Sequence, residues 1–146
     1  MTKQNKATTI GELRASGYTP VSVKEELRRN LLHKIKNQQE IFPGIIGYDD
    51  TVIPMLENAI ISGHDVIFLG ERGQAKSRVM RNLVGLLDEE IPAIKGCEIN
   101  DNPFTPICKR CRDLVAAEGD RTEIVWLNPD QRYSEKLATP DIAIAD

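Results

Sequence analysis

A chain of 146 residues suits one ordinary domain, and at that size folding hides roughly 70% of the extended surface, so a core needs no disulfide staple. With 40% hydrophobic and 28% charged residues and a net charge of -3, the composition is globular and excludes a surface that coats polyanions over its whole extent. Residues 1 to 20 lack the apolar core of an export signal and no stretch approaches the ~20 apolar residues of a membrane span, so the cytoplasm is the expected compartment, with neither membrane nor nucleic acid indicated as a partner.

Residues 1 to 21 show no sustained periodicity and run into Pro20, which predicts a mobile lead-in. Ser22 to Glu25 form a capping box, and Val23, Leu27, Leu31 and Ile35 follow at one-turn spacing, which predicts an amphipathic helix over about 22 to 39. Residues 22 to 42 thus read as a helical extension, closed by Phe42-Pro43-Gly44. A second helix is expected from about Thr51 to Gly63, with Pro54 harmless at the third helical position. Asp65 to Leu69 is short and apolar, which suits a fully buried central strand. Val79, Leu83 and Leu86 mark one face of a helix from about Gln74 to Asp88. Residues 91 to 107, rich in proline, read as a surface excursion; Cys108 to Glu118 reads as a helix, and Ile124 to Leu127 as a second buried strand.

The junction between the first strand and the helix carries Gly70, Glu71, Arg72, Gly73, Gln74, Ala75, Lys76 and Ser77. This is the Walker A pattern with Ala75 in place of a glycine. Glycines let the backbone fold around phosphates, amides at a helix start face the anion, Lys76 adds positive charge, and Ser77 offers a hydroxyl to magnesium. Ala75 stands where the chain turns helical, a conformation open to any L-residue. A polar strand-to-helix turn is the bland alternative, and the strand–glycine turn–helix context favours phosphate binding over it. The Walker B-like run Leu83 to Glu89 is set aside because Asp88 would lie about 18 Å from Lys76 along a helix. Ile142 to Asp146 is set aside because it closely follows Pro140 and is thin in bulky side chains.

The stretch GIIGYDDTVIPMLENAIISGHDVIFLGERGQAKSRVMRNL, residues 44 to 83, together with RYSEKLATPDIAIAD, residues 132 to 146, resembles the start of the AAA+ module in magnesium-chelatase-like ATPases. The likeness covers about 100 of the 146 positions, and the form GERGQAKSR, alanine included, is specific to that group. It implies an α/β fold with a P-loop NTPase-type parallel sheet core, here a partial AAA+ nucleotide-binding domain over residues 43 to 146 with the helical extension before it. It implies ATP and magnesium as cofactors, with Gly44, Ile45, Ile46 and Gly47 beside the adenine, Lys76 on the β- and γ-phosphates and Ser77 on magnesium. It also implies a homo-oligomeric ring that couples ATP hydrolysis to remodelling of a protein partner. The family's Walker B pair, sensor, arginine finger and helical lid are not identifiable here, so the chain is expected to be inactive by itself. Arg72, Arg78 and Arg81 raise the local potential and read as solvated or structural charges, although Arg78 borders the nucleotide loop.

Cys97, Cys108 and Cys111 form C-x10-C-x2-C, and the closing C-x2-C has zinc-ligand spacing without a fourth cysteine or histidine nearby. The preferred reading makes Cys108, Cys111, Leu114 and Val115 one small helical core face, with free thiols. The adjacent pairs Glu25/Glu26 and Glu89/Glu90 point to different sides of a helix and read as solvated. Trp126 reads as core, His64 as a helix-end residue, and Arg132, Tyr133 and Lys136 as a solvated turn in preference to a partner- or pore-facing segment. Two other functions fit parts of the pattern: a P-loop phosphotransferase, and a zinc-containing interaction module built on the three cysteines.

Overall fold

A computed structural model describes residues 6–45, 47, 51–69 and 76–136. Helix α1 (Ile10–Ala15) opens with Thr9, whose hydroxyl accepts the Glu12 N–H at 3.2 Å, while the Glu12 carboxylate takes the Thr8 N–H at 2.8 Å. Its apolar face, Ile10 and Leu13, is buried against Ile124, with Tyr18, Phe104 and Trp126 around it. The Ile10 N–H donates to Thr122 O and the Ile124 N–H to Thr8 O, so residues 8 to 10 attach to the chain near 122 to 124. Within the expected lead-in, residues 8 to 15 are thus docked, with Ile10 and Leu13 of the helix buried. Gly11 permits the approach, since an added Cβ would lie 2.9 Å from Asp120 Cβ.

Helix α2 (Val23–Lys36) is capped by Ser22, whose hydroxyl accepts the Glu25 N–H. Helix α3 (Val52–Ile61) carries Pro54 in its first turn and ends at Gly63, where φ of +70° lets His64 N–H reach back to Ala59 O at 2.9 Å. Leu31 of α2, Leu56 and Ile60 of α3, Val79 and Leu86 further on, and Phe42 and Ile45 between the first two helices form one core cluster. Val23 and Ile35, expected on the buried face of α2, are exposed.

Residues 65 to 69, expected as a buried central strand, form no strand, and Ile67 and Leu69 are 83% and 91% exposed. A buried strand needs paired neighbours, and none of the described residues lies in a ladder with this run. Helix α4 (Lys76–Asn82) continues as a 3-10 turn over Leu83–Leu86.

Ile91–Ile94 is strand β1, which corrects the expected surface excursion at its start: Ala93 and Ile94 are buried. It pairs antiparallel with β2 (Ile124–Leu127), Ile91 opposite Leu127 and Ile94 opposite Ile124. Pro92 concealed the strand because it cannot donate to a ladder. The Ile94 N–H points away from β2, to Asp101 O at 3.0 Å, and Pro92 shares that outer edge, where a missing donor breaks no ladder bond. Helix α5 (Lys109–Glu118) starts at Cys108 and α6 (Pro129–Arg132) at Asn128, which makes a full capping box with Gln131. The two-stranded antiparallel sheet is the sheet found among the described residues.

Glu26 and Arg132 overturn two sequence expectations. Their side chains are 2% and 9% exposed and form a bidentate pair at 2.7 and 2.9 Å. The same carboxylate accepts the Asp88 N–H at 2.8 Å, which joins α2, α6 and the segment before β1. Position 26 lies one residue off the apolar stripe, close enough to be drawn inward once a guanidinium is available to match it.

Candidate functional site

Gly70 to Ala75 and Ile46 lie outside the described residues. Lys76 and Ser77 are the first two described residues of α4, Lys76 half-buried and Ser77 exposed. Ile45 and Val79 are buried in one cluster, and the Arg78 guanidinium lies 3.5 Å from Gly44 O. Arg78 and Val79 of α4 are thus neighbours of Gly44 and Ile45. Gly44 and Gly47 have φ of +78° and +89°, backbone that an L-residue adopts only with strain. Lys76 carries a primary ammonium and Ser77 a hydroxyl, donor types that suit a triphosphate with magnesium.

The decoy carboxylate Asp88 is held elsewhere. It takes two 2.6 Å hydrogen bonds from Arg29 and one of 2.9 Å from Asn30, both on α2. Burial pushes its pKa up, but these bonds outweigh it and hold the carboxyl below the usual range. Arg81 binds Glu135 through two hydrogen bonds of 2.7 and 2.9 Å. Arg81, joined by Tyr133, holds the Glu135 carboxyl down at about 2. Arg81 is thus engaged in an exposed ion pair with Glu135. A groove of about 760 Å³ borders α2, α3, Met80 and residues 132 to 136, but it does not include Lys76 or Ser77.

The three cysteines converge with a residue that their spacing did not announce. Cys97, Cys108 and Cys111 offer sulfur and Asp101 a carboxylate oxygen, and the four donor atoms lie within 4.8 Å of one another. Cys97, Asp101 and Cys111 are buried at 9%, 4% and 0% exposure. Ile107 and Cys108 donate their N–H groups to the two Asp101 carboxylate oxygens at 3.2 and 3.0 Å. Asp101 N–H donates to Cys97 Sγ and Cys111 N–H to Cys108 Sγ, at 3.3 and 3.4 Å. Burial pushes the Cys97 thiol up, but amide hydrogen bonds from Asp101 and Ile99 and the neighbouring thiols bring it below its ordinary value. Burial, reinforced by the other two thiols, pushes Cys111 up to about 12. Cys111, Leu114 and Val115 do pack beside Ile94, as the core reading expects, but that reading leaves the converging carboxylate unexplained. A lone aspartate between cysteines is too common a sequence feature to single out.

No family model matches the chain, and no solved structure matches it. Over 88 residues it is 35% identical to the chloroplastic magnesium-chelatase subunit ChlI of Nicotiana tabacum, which covers 58% of this chain and 20% of that protein. Over 89 residues it is 35% identical to the chloroplastic magnesium-chelatase subunit ChlI-2 of Arabidopsis thaliana, with the same coverage. The chain is distantly related to magnesium-chelatase subunits. It spans about a fifth of the length of these relatives. Any continuous stretch holding 58% of 146 residues must include the middle of the chain, and so residues 70 to 77 lie inside the similar region.

Proposed function

We propose that this chain is the ATP-binding P-loop part of an AAA+ ATPase of the magnesium-chelatase-like group, with the Gly70–Ser77 loop as its phosphate cradle. The observation that carries this reading is the GERGQAKS run itself, Walker A in all but Ala75, in a chain distantly similar to magnesium-chelatase subunits. One placement supports it: α4 lies beside Gly44 and Ile45, with the Arg78 guanidinium 3.5 Å from Gly44 O and Val79 buried in the same cluster as Ile45. In this reading the amides of residues 73 to 77 face the phosphates, the Lys76 ammonium neutralises the β- and γ-oxygens, and Ser77 Oγ is the protein's ligand to magnesium. Magnesium supplies charge neutralisation of the triphosphate. Ile45, Ile46 and Gly47 form the base-side wall. In the complete protein the parallel sheet would extend beside Asp65 to Leu69, nucleotide would lie between ring subunits, and hydrolysis would drive remodelling of a protein partner.

Thermal unfolding with and without ATP and magnesium tests this. At a hundred times Kd the ligand stabilises by about 2.7 kcal/mol, or roughly 5 to 15 °C in Tm for a chain of this size. Lys76→Ala abolishes most of that shift, and an equal shift in the variant overturns the assignment. Asp88→Asn leaves the shift unchanged, because Asp88 is engaged by α2.

A further inference from the structure

The geometry points to a structural zinc site formed by Cys97, Asp101, Cys108 and Cys111, which locks the turn after β1 onto the start of α5. Four facts carry it. The first is distance: a tetrahedral centre with metal–sulfur bonds of 2.3 Å sets its sulfurs about 3.8 Å apart, and Cys97 Sγ and Cys108 Sγ are 3.9 Å apart. Their separation is too great for a disulfide and already that of two ligands on one ion. A multi-iron cluster divides its four ligands between irons and would set some of them further apart than the 4.8 Å that bounds all four donors here.

The second fact is the surrounding hydrogen bonding. Both the Cys97 and Cys108 sulfurs accept backbone N–H groups, and the Asp101 carboxylate is aimed by the Ile107 and Cys108 amides. Such outer partners fix the orientation of metal ligands. The third fact is charge. Three thiolates and a carboxylate leave a zinc centre negative, and the Arg110 guanidinium, 3.7 Å from Cys111 Sγ, offsets part of that charge. Gly96 makes room for it: a Cβ there would lie 3.3 Å from Arg110 Nη2.

The fourth fact is the need for a staple. Residues 95 to 108 contain no helix or strand; Phe104 packs on the Ile10–Leu13 cluster, and the buried cluster next to the four donors is Ile94, Cys97 and Cys111. Ligation there would add directly to the folding free energy of a segment without regular structure. Three thiolates with a carboxylate around one tetrahedral centre suit zinc, and four protein ligands leave no open coordination position, so the site is structural and not catalytic.

The test uses the full chain, purified under reducing conditions and dialysed against metal-free buffer. About one zinc per chain is expected, with a Tm that falls on chelation and recovers when zinc is restored. Cobalt substitution should give tetrahedral visible bands with sulfur-to-cobalt charge transfer. Asp101→Cys should keep that geometry and raise the charge-transfer intensity by roughly one third, as three thiolates become four. Cys111→Ser should weaken zinc at least about tenfold, the scale of losing even an outer partner. A chain that emerges without zinc and takes up none after thiol reduction overturns the assignment. So does a six-coordinate cobalt spectrum, or an Asp101→Cys spectrum identical to that of the parent. Lys76→Ala retains its zinc, so failure of the nucleotide reading and failure of this one are separate results.

Discussion

The half of the molecule built from α1, β1, α5 and β2 and the half built from α2, α3 and α4 solve the burial problem differently. In the first, residues far apart in sequence close on one another: Thr8 to Ile10 meet Thr122 to Ile124, and four donor atoms converge beside Ile94. In the second, helices wrap a cluster around Leu31 and Leu56, yet Ile67 and Leu69 remain exposed. A central parallel strand is buried only when neighbours flank it, so an apolar run encodes a request for partners as much as a place in a core. The Glu26–Arg132 pair ties α2 of one half to the segment that follows β2 of the other.

The strongest test of that division is the tie itself. Glu26→Ala leaves Arg132 buried without its partner and should cost about 3–5 kcal/mol in urea unfolding, whereas Glu26→Leu with Arg132→Met should recover most of the loss. If the single change is neutral, the two halves are not joined through this pair. Next in size, Leu13→Ala and Leu31→Ala each remove a fully buried side chain, one per half, at about 2–5 kcal/mol. Equal losses in one cooperative transition would show the halves unfolding together, and two transitions would separate them. Acid sharpens the same boundary. Asp88 has a lowered pKa in the folded chain, so its contribution is present above the unfolded value of about 3.9 and is lost as pH falls through the folded one. Unfolding at fixed temperature should steepen below about pH 4, less so in Asp88→Asn. Ser22→Ala should cost about 1 kcal/mol through the lost cap. Smallest of all, Ile67→Ser should shift stability by no more than about 0.5 kcal/mol. A loss of several kcal/mol there would mean that the run is buried after all.

What could be read in the sequence was local. Ser22 capping α2, Pro54 in the first turn of α3, Gly63 at its end and Cys108 starting α5 are each set by a few adjacent residues, and each stands where expected. Pairings across long separations could not be read. Pro92 argues against a strand until its outer-edge position is known, Glu26 looks solvated until Arg132 reaches it, and Thr8 to Ile10 look unstructured until β2 stands beside them. The candidate sites divide the same way. Lys76 and Ser77 are legible from a contiguous motif, but Asp101 joins the cysteines only through the turn that brings it back, its N–H on Cys97 Sγ.

Trp126, the only tryptophan in the chain, donates its indole N–H to Ala7 O at 2.9 Å and faces Tyr18. Its fluorescence is therefore a built-in gauge of whether the amino-terminal segment is docked. Detachment of residues 7 to 13 would expose the indole to solvent and shift its emission to the red, even with β2 intact, so one optical signal can follow that segment without any added label.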